Sequence, residues 1–202
     1  VNYFTDLKDC HQITNLIIKP SEGSDAGSIY DKACELGKNA HREGVAYTHI
    51  FCVFDLDTAQ TTRAFDVIQK MHTTKHKFCP NMHAINTYPC FEVWYLLHFK
   101  YINAPYAAKG SQSVSDCVEK QLNPIWQKEF NIPYSKTLSK TYTSLKSKRE
   151  AGEKNAVQLL KSQQGTKNIN PITNVHELVS FLENLSTKTQ STITFTRFEK
   201  AT

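Results

Sequence analysis

No apolar run in this chain approaches the ~20 residues that a membrane-crossing helix needs, so no membrane association is expected. None of the six cysteines (Cys10, Cys34, Cys52, Cys79, Cys90 and Cys117) forms a C-x-x-C pair. That usage, with no visible signal peptide, fits a reduced, cytoplasmic protein, and a chain of 202 residues has no need of disulfide staples. Internal repeats and low-complexity blocks are also missing. Charge of one sign is in small excess, at a formal +5. A chain of this size supports one sizeable core with an appendage, but hardly two independent α/β domains.

The positive charge is unevenly spread. Lys136, Lys140, Lys146, Lys148 and Arg149 fall in one short stretch and are candidates for contacts with nucleic-acid phosphates. Only Tyr134 and Tyr142 interleave with them, so a solvated helix face accounts for the same charges.

Apolar spacing gives an α/β order over the first half. Residues Thr14 to Lys19 read as a short strand stopped by Pro20, and Ile29, Ala33, Leu36 and Ala40 recur at helical spacing up to about Arg42, with Gly44 beyond. A strand follows at Ile50 to Phe54, a helix at Thr61 to His72, a strand at Met82 to Asn86, and a helix from Cys90 to about Tyr101. This alternation predicts a parallel sheet with right-handed crossovers, sandwiched by helices, over residues 1–105. From Ser113 on, the signals are helical: Val114 to Leu122, Thr141 to Gln163 and Thr173 to Leu185, with Thr173 as a cap. Residues 106–202 therefore read as a mainly helical extension packed on the core, with a final strand or ordered tail at Ser191 to Phe198.

The segment Thr48-His49-Ile50-Phe51-Cys52-Val53-Phe54-Asp55-Leu56-Asp57 carries the strongest chemical signal. Its apolar part lacks alternation, which suits a strand covered on both faces. In extended backbone Asp55 and Asp57 share a face and repel unless a cation lies between them. Ligands in parallel α/β sheets gather beyond the carboxyl ends of the strands, where this pair falls.

A second acidic signal, Glu92, sits after Pro89 in Cys90-Phe91-Glu92-Val93-Trp94-Tyr95-Leu96-Leu97-His98-Phe99. Among such apolar neighbours a carboxylate is unwelcome unless paired or metal-bound. It also serves simply as a favourable charge on a helix N-terminus, contributing about 0.3–1 kcal/mol. Oxygen donors without a nearby Cys/His pair favour Mg2+ or Mn2+ over zinc, and such a cation is usual equipment for phosphate-ester chemistry. His72 and His76 read as surface residues and His98 as a core histidine.

Phe54-Asp55-Leu56-Asp57 and Pro89-Cys90-Phe91-Glu92-Val93-Trp94-Tyr95-Leu96-Leu97-His98-Phe99 together resemble the RloB-like family, which includes the AbiL abortive-infection component. Lys136 followed by Tyr142 and Leu145, Asn155-Ala156 with Leu159, and Asn170-Pro171-Ile172-Thr173-Asn174-Val175-His176-Glu177-Leu178-Val179 extend the likeness over nearly the whole chain. The resemblance implies a Toprim-like fold and a Mg2+-dependent nuclease of bacterial antiphage defence acting on nucleic acid, with tRNA one candidate, beside an ABC-type ATPase partner. It makes Asp55 and Asp57 metal ligands, Glu92 a further carboxylate of the site, and Lys136 an active-centre lysine.

One family feature is missing: a leading strand with a Glu-Gly turn. Asn2-Tyr3-Phe4 matches the end of that segment, while Glu22 in Ser21-Glu22-Gly23 follows what reads as the second strand. The expectation is that residues upstream of Val1 complete it. Two other readings stand beside the nuclease. A haloacid-dehalogenase-type phosphatase would use Asp55 as nucleophile and Asp57 as acid/base, but needs a later acidic motif that is not found. A catalytically weakened module docking on the ATPase is the non-enzymatic alternative.

Overall fold

The computed structural model describes the chain except residues 24, 57–60, 165, 167–168, 188–193 and 199–202, and except the side chains of 61–62 and 186–187. It is a mixed α/β fold. Strand β1 (His49–Asp55) and strand β2 (Asn81–Tyr88) run parallel, in register from His49 opposite Asn81 to Asp55 opposite Thr87. Two helices, α2 (Ala26–Arg42) before β1 and α3 (Thr61–Thr73) between the strands, cover one face. Leu56 N–H donates to Thr87 O at 2.8 Å, so the ladder continues one residue past β1.

Both strands are covered on both faces. Cys52, Phe54, Met82 and Ala84 join Tyr30, Ile68 and Met71 under α2 and α3, while Ile85, with Phe51 and Val53, joins the larger cluster opposite. The non-alternating run in β1 is thus explained by a hydrophobic layer on each side of the sheet. The larger cluster draws on both halves of the chain, from Trp94, Leu96 and Leu97 to Leu122, Trp126, Leu145 and Leu159.

Several elements differ from the sequence expectation. Residues 14–19 belong to no strand among the described residues. Leu16 and Ile18 pack against the large cluster and Ile17 faces out, so the alternation is real, but it serves side-chain packing and not a ladder. The third strand, β3 (Ile172–Thr173), comes from the C-terminal half and lies antiparallel to β2, pairing Thr87 with Thr173. The Thr173 side chain does accept from Val175 N–H at 3.2 Å, at the start of the last helix, α8 (Val175–Thr187). At the other end of the chain, helix α1 (Asn2–Cys10) was not foreseen; it buries Tyr3, Phe4 and Leu7.

Helix α4 (Glu92–Leu97) is much shorter than the stretch to Tyr101 that apolar content predicts. His98 explains the stop. Its Nδ1 donates to Trp94 O at 2.8 Å, taking the carbonyl that its own backbone N–H would use, and that N–H bonds Tyr95 O at 3.2 Å. Helix α5 (Val114–Phe130) is longer than expected because it runs through Pro124, after a start fixed by the reciprocal Ser113/Asp116 capping box. The predicted helix at 141–163 divides into α6 (Thr141–Leu145), a 3-10 turn (Lys146–Lys148) and α7 (Arg149–Gln163). Of the expected C-terminal strand, residues 191–193 lie outside the described residues; residues 194–198 form an irregular tail whose Phe195 packs on Phe51 and His83. Among the described residues no helix is long and apolar enough to cross a membrane.

Candidate functional site

Asp55 and Glu92 reach one place because of strand order. Asp55 ends β1, exposed; Glu92 opens α4, four residues past the end of the neighbouring β2. Both line a cleft of about 370 Å³, with Asn2, Phe91, Tyr134 and Lys136 also on its wall. This is the carboxyl end of the parallel pair, the location the sheet topology favours for ligands. Asp57, the other half of the D-x-D pair, lies outside the described residues.

Glu92 is 5% exposed, and its surroundings explain how a carboxylate is kept there. Tyr134 donates its hydroxyl to Glu92 Oε1 at 2.8 Å. Lys136 Nζ stands 4.0 Å from the same oxygen and 2.6 Å from Glu119 Oε1 on α5. The close contact with Glu119, with lesser help from Glu92, raises the Lys136 pKa against the opposing effect of partial burial, so the ammonium stays charged. Burial, then the charge of Glu92, pushes the Tyr134 phenol up, which keeps it a donor. The buried Cys90 thiol lies beside Glu92 and within the field of Asp55; burial and then those carboxylates raise its pKa, so it is a poor nucleophile.

The basic stretch does not act as one surface. Of the five residues, only Lys136 lines the cleft. Lys140 pairs with buried Asp6 at 3.4 Å, Lys146 Nζ contacts Cys10 Sγ at 3.2 Å, and Lys148 pairs with Glu129 at 2.9 Å. Arg149 is corrected as a phosphate contact: it is buried, bonded to Glu183, Glu153 and Ser180, and stacked over Trp94. A guanidinium spent this way holds α7 against α8. His98 is a core residue, with burial lowering its pKa to about 4. His72 and His76 are half-buried, and so less exposed than expected.

Sequence reasoning passed over Tyr134 and Glu119. The signal for Tyr134 was slight, its place two residues before Lys136 on the stretch after Pro133. Glu119 had none, because α5 meets the cleft only through folding.

As a donor set, Asp55 and Glu92 offer hard carboxylate oxygens beside a lysine, which fits Mg2+ or Mn2+ and not a thiol- or imidazole-seeking metal. Among the described residues no three His, Cys, Asp or Glu side chains converge into a cage. Such a small cation commonly takes one or two carboxylates, with water and substrate oxygens completing the shell.

The family described as RloB-like protein matches residues 1–182. Neither the curated proteins nor the solved structures give a match.

Proposed function

The chain belongs to the RloB-like family, and on that premise we propose that the cleft is the centre of a Toprim-like, Mg2+- or Mn2+-dependent endonuclease. The observation that carries the reading is the meeting of Asp55, from the end of β1, and Glu92, from the helix that follows the parallel β2, in one cleft with Lys136. Two carboxylates brought to one cleft repel each other, and a divalent cation relieves that repulsion; with a lysine beside it the cation makes a phosphate site.

In this reading Asp55, Asp57 and Glu92 hold the cation. When bound, the cation neutralises the scissile phosphate and lowers the pKa of water. Lys136 contacts a phosphate oxygen as a point charge, and the exposed Lys140 and Lys146, with the half-buried Lys148, supply weaker backbone contacts once free of their present partners. The family resemblance adds the biological setting: antiphage defence, tRNA as one candidate substrate, and an ABC-type ATPase subunit as partner.

The test is cleavage of tRNA, single-stranded and duplex substrates by the complete gene product in Mg2+ and Mn2+, with and without the ATPase neighbour. Cleavage that EDTA abolishes and that Asp55→Ala and Glu92→Gln reduce at least 100-fold supports the proposal. Metal-independent cleavage, or wild-type rates in both variants, overturns it.

A further inference from the structure

Glu92 is a carboxylate in an almost wholly apolar helix, and a buried carboxylate must be held by donors. Lys136, at 4.0 Å, is beyond hydrogen-bond reach and is committed to Glu119. Tyr134 is the close donor, at 2.8 Å. Its own position is fixed from α5 at two points. The backbone N–H of Tyr134 donates to Asn123 Oδ1 at 3.0 Å, and its ring meets Trp126 edge-on at 5.5 Å. Tyr95, on the same helix as Glu92, meets the ring from another side at 5.9 Å. Trp126 is 1% exposed, so the platform belongs to the core.

We propose that Tyr134 is a positioning residue of the cleft: its hydroxyl, anchored through Asn123 and Trp126, fixes the Glu92 carboxylate so that it meets a divalent cation already oriented. This rests on the cation reading above and adds to it the residue that sets the ligand's orientation. A phenol does this without adding charge, and a carboxylate oxygen that accepts one hydrogen bond keeps a lone pair for a metal. Groups of this kind, one step behind a ligand, typically govern metal affinity by about 10–100-fold. The ring of Tyr134 also forms part of the wall of a second recess, lined by Gln112, Asp116, Glu119 and Asn123, so removing the ring would disturb both spaces. Deleting only the hydroxyl separates positioning from packing.

The experiment is Mn2+ binding to the full chain, read from the EPR signal of free Mn2+ and by calorimetry, in wild type, Tyr134→Phe, Asn123→Ala and Glu92→Gln. The thermal midpoint of each in EDTA is measured alongside. Tyr134→Phe is expected to weaken Mn2+ binding about 10–100-fold while its EDTA midpoint stays near wild type, and Asn123→Ala to weaken it in the same direction. If Tyr134→Phe lowers the EDTA midpoint and leaves Mn2+ affinity at the wild-type value, the role is packing and the proposal is overturned. If Glu92→Gln weakens binding but both other variants bind normally, Tyr134 loses its role and the cation site stands. Normal binding in Glu92→Gln removes both. Should Tyr134→Phe not fold, Asn123→Ala decides, since it retains both the Tyr134 hydroxyl and the Glu92 carboxylate and removes only the anchor of Tyr134.

Discussion

Lys136 and Glu119 form a close ion pair at 2.6 Å, and Glu119 thereby holds the one lysine of the basic stretch that lines the cleft. The Lys136 side chain is 61% exposed, so the pair adds little to folding. Its consequence lies in binding, because a phosphate must draw Lys136 away from Glu119. Glu119→Gln should tighten binding of a single-stranded oligonucleotide by about 1.4-fold to fivefold, the equivalent of an exposed pair's 0.2–1 kcal/mol. Lys136→Ala should weaken it and reduce the slope of log affinity against log salt by about 0.7. Fluorescence anisotropy over a salt series reads both. Equal slopes in wild type and Lys136→Ala would take Lys136 out of the phosphate contact.

Asp6 is buried in α1 and accepts from Thr143 N–H at 2.7 Å and from the Thr143 hydroxyl at 2.9 Å, so a carboxylate from the first helix serves the open N-terminal end of α6. Asp6→Ala leaves that N–H without its acceptor. The expected loss is about 1–3 kcal/mol in urea unfolding. A change below about 0.5 kcal/mol would mean that water replaces the carboxylate at no cost.

Gly152 marks the place where α7 meets α4. A Cβ built there would lie 2.9 Å from three atoms of the His98 ring, which cannot turn aside without losing its bond to Trp94 O. Gly152→Ala is expected to destabilise the protein by about 1–3 kcal/mol, although alanine is the better helix former. A thermal midpoint at or above wild type would show that the ring has room to shift.

His83 bears on stability in acid. Burial lowers its pKa from 6.5 to about 4, helped by His49, whose Nδ1 lies 3.2 Å from His83 Nε2, and by the charges of His72 and Arg197; Phe51 stacks on the ring, Phe195 meets it at a tilt, and neither carries charge. The unfolded chain binds this proton first as pH falls. The contribution is therefore intact above pH about 6.5, is lost progressively between about 6.5 and about 4, and changes no further below. His98 and His176, also lowered to about 4, act in the same sense. Urea midpoints should fall from pH 7 to pH 5, and fall less steeply in His83→Gln. Parallel pH profiles for the two proteins would exclude His83 as a contributor.

The sheet was legible where side-chain pattern and chemistry agree. An apolar run of β-branched and aromatic residues ending in an acid can be satisfied by little except a covered strand with its end at the rim, and β1 is that strand. The short strand at 14–19 misled because the same alternation also serves a segment laid against a core without pairing. Helix α1 was missed because its nine residues give too few turns for a period to show. Tyr134 left a faint local trace and Glu119 none, since their partners lie 42 and 17 residues away in sequence.

The order of acids along the chain by itself determined that Asp55 would close a buried strand and that Glu92 would begin the helix beyond the next one, since side-chain periodicity and proline placement are local properties. Tertiary structure alone decided which charges remain available. Arg149 was drawn into a buried network, Lys136 was set between two glutamates, and Tyr134 was seated on Trp126 to meet Glu92. The reason is physical: a charge spends its hydrogen bonds on whichever partners packing brings within about 3 Å, and distance in space is not written in sequence spacing.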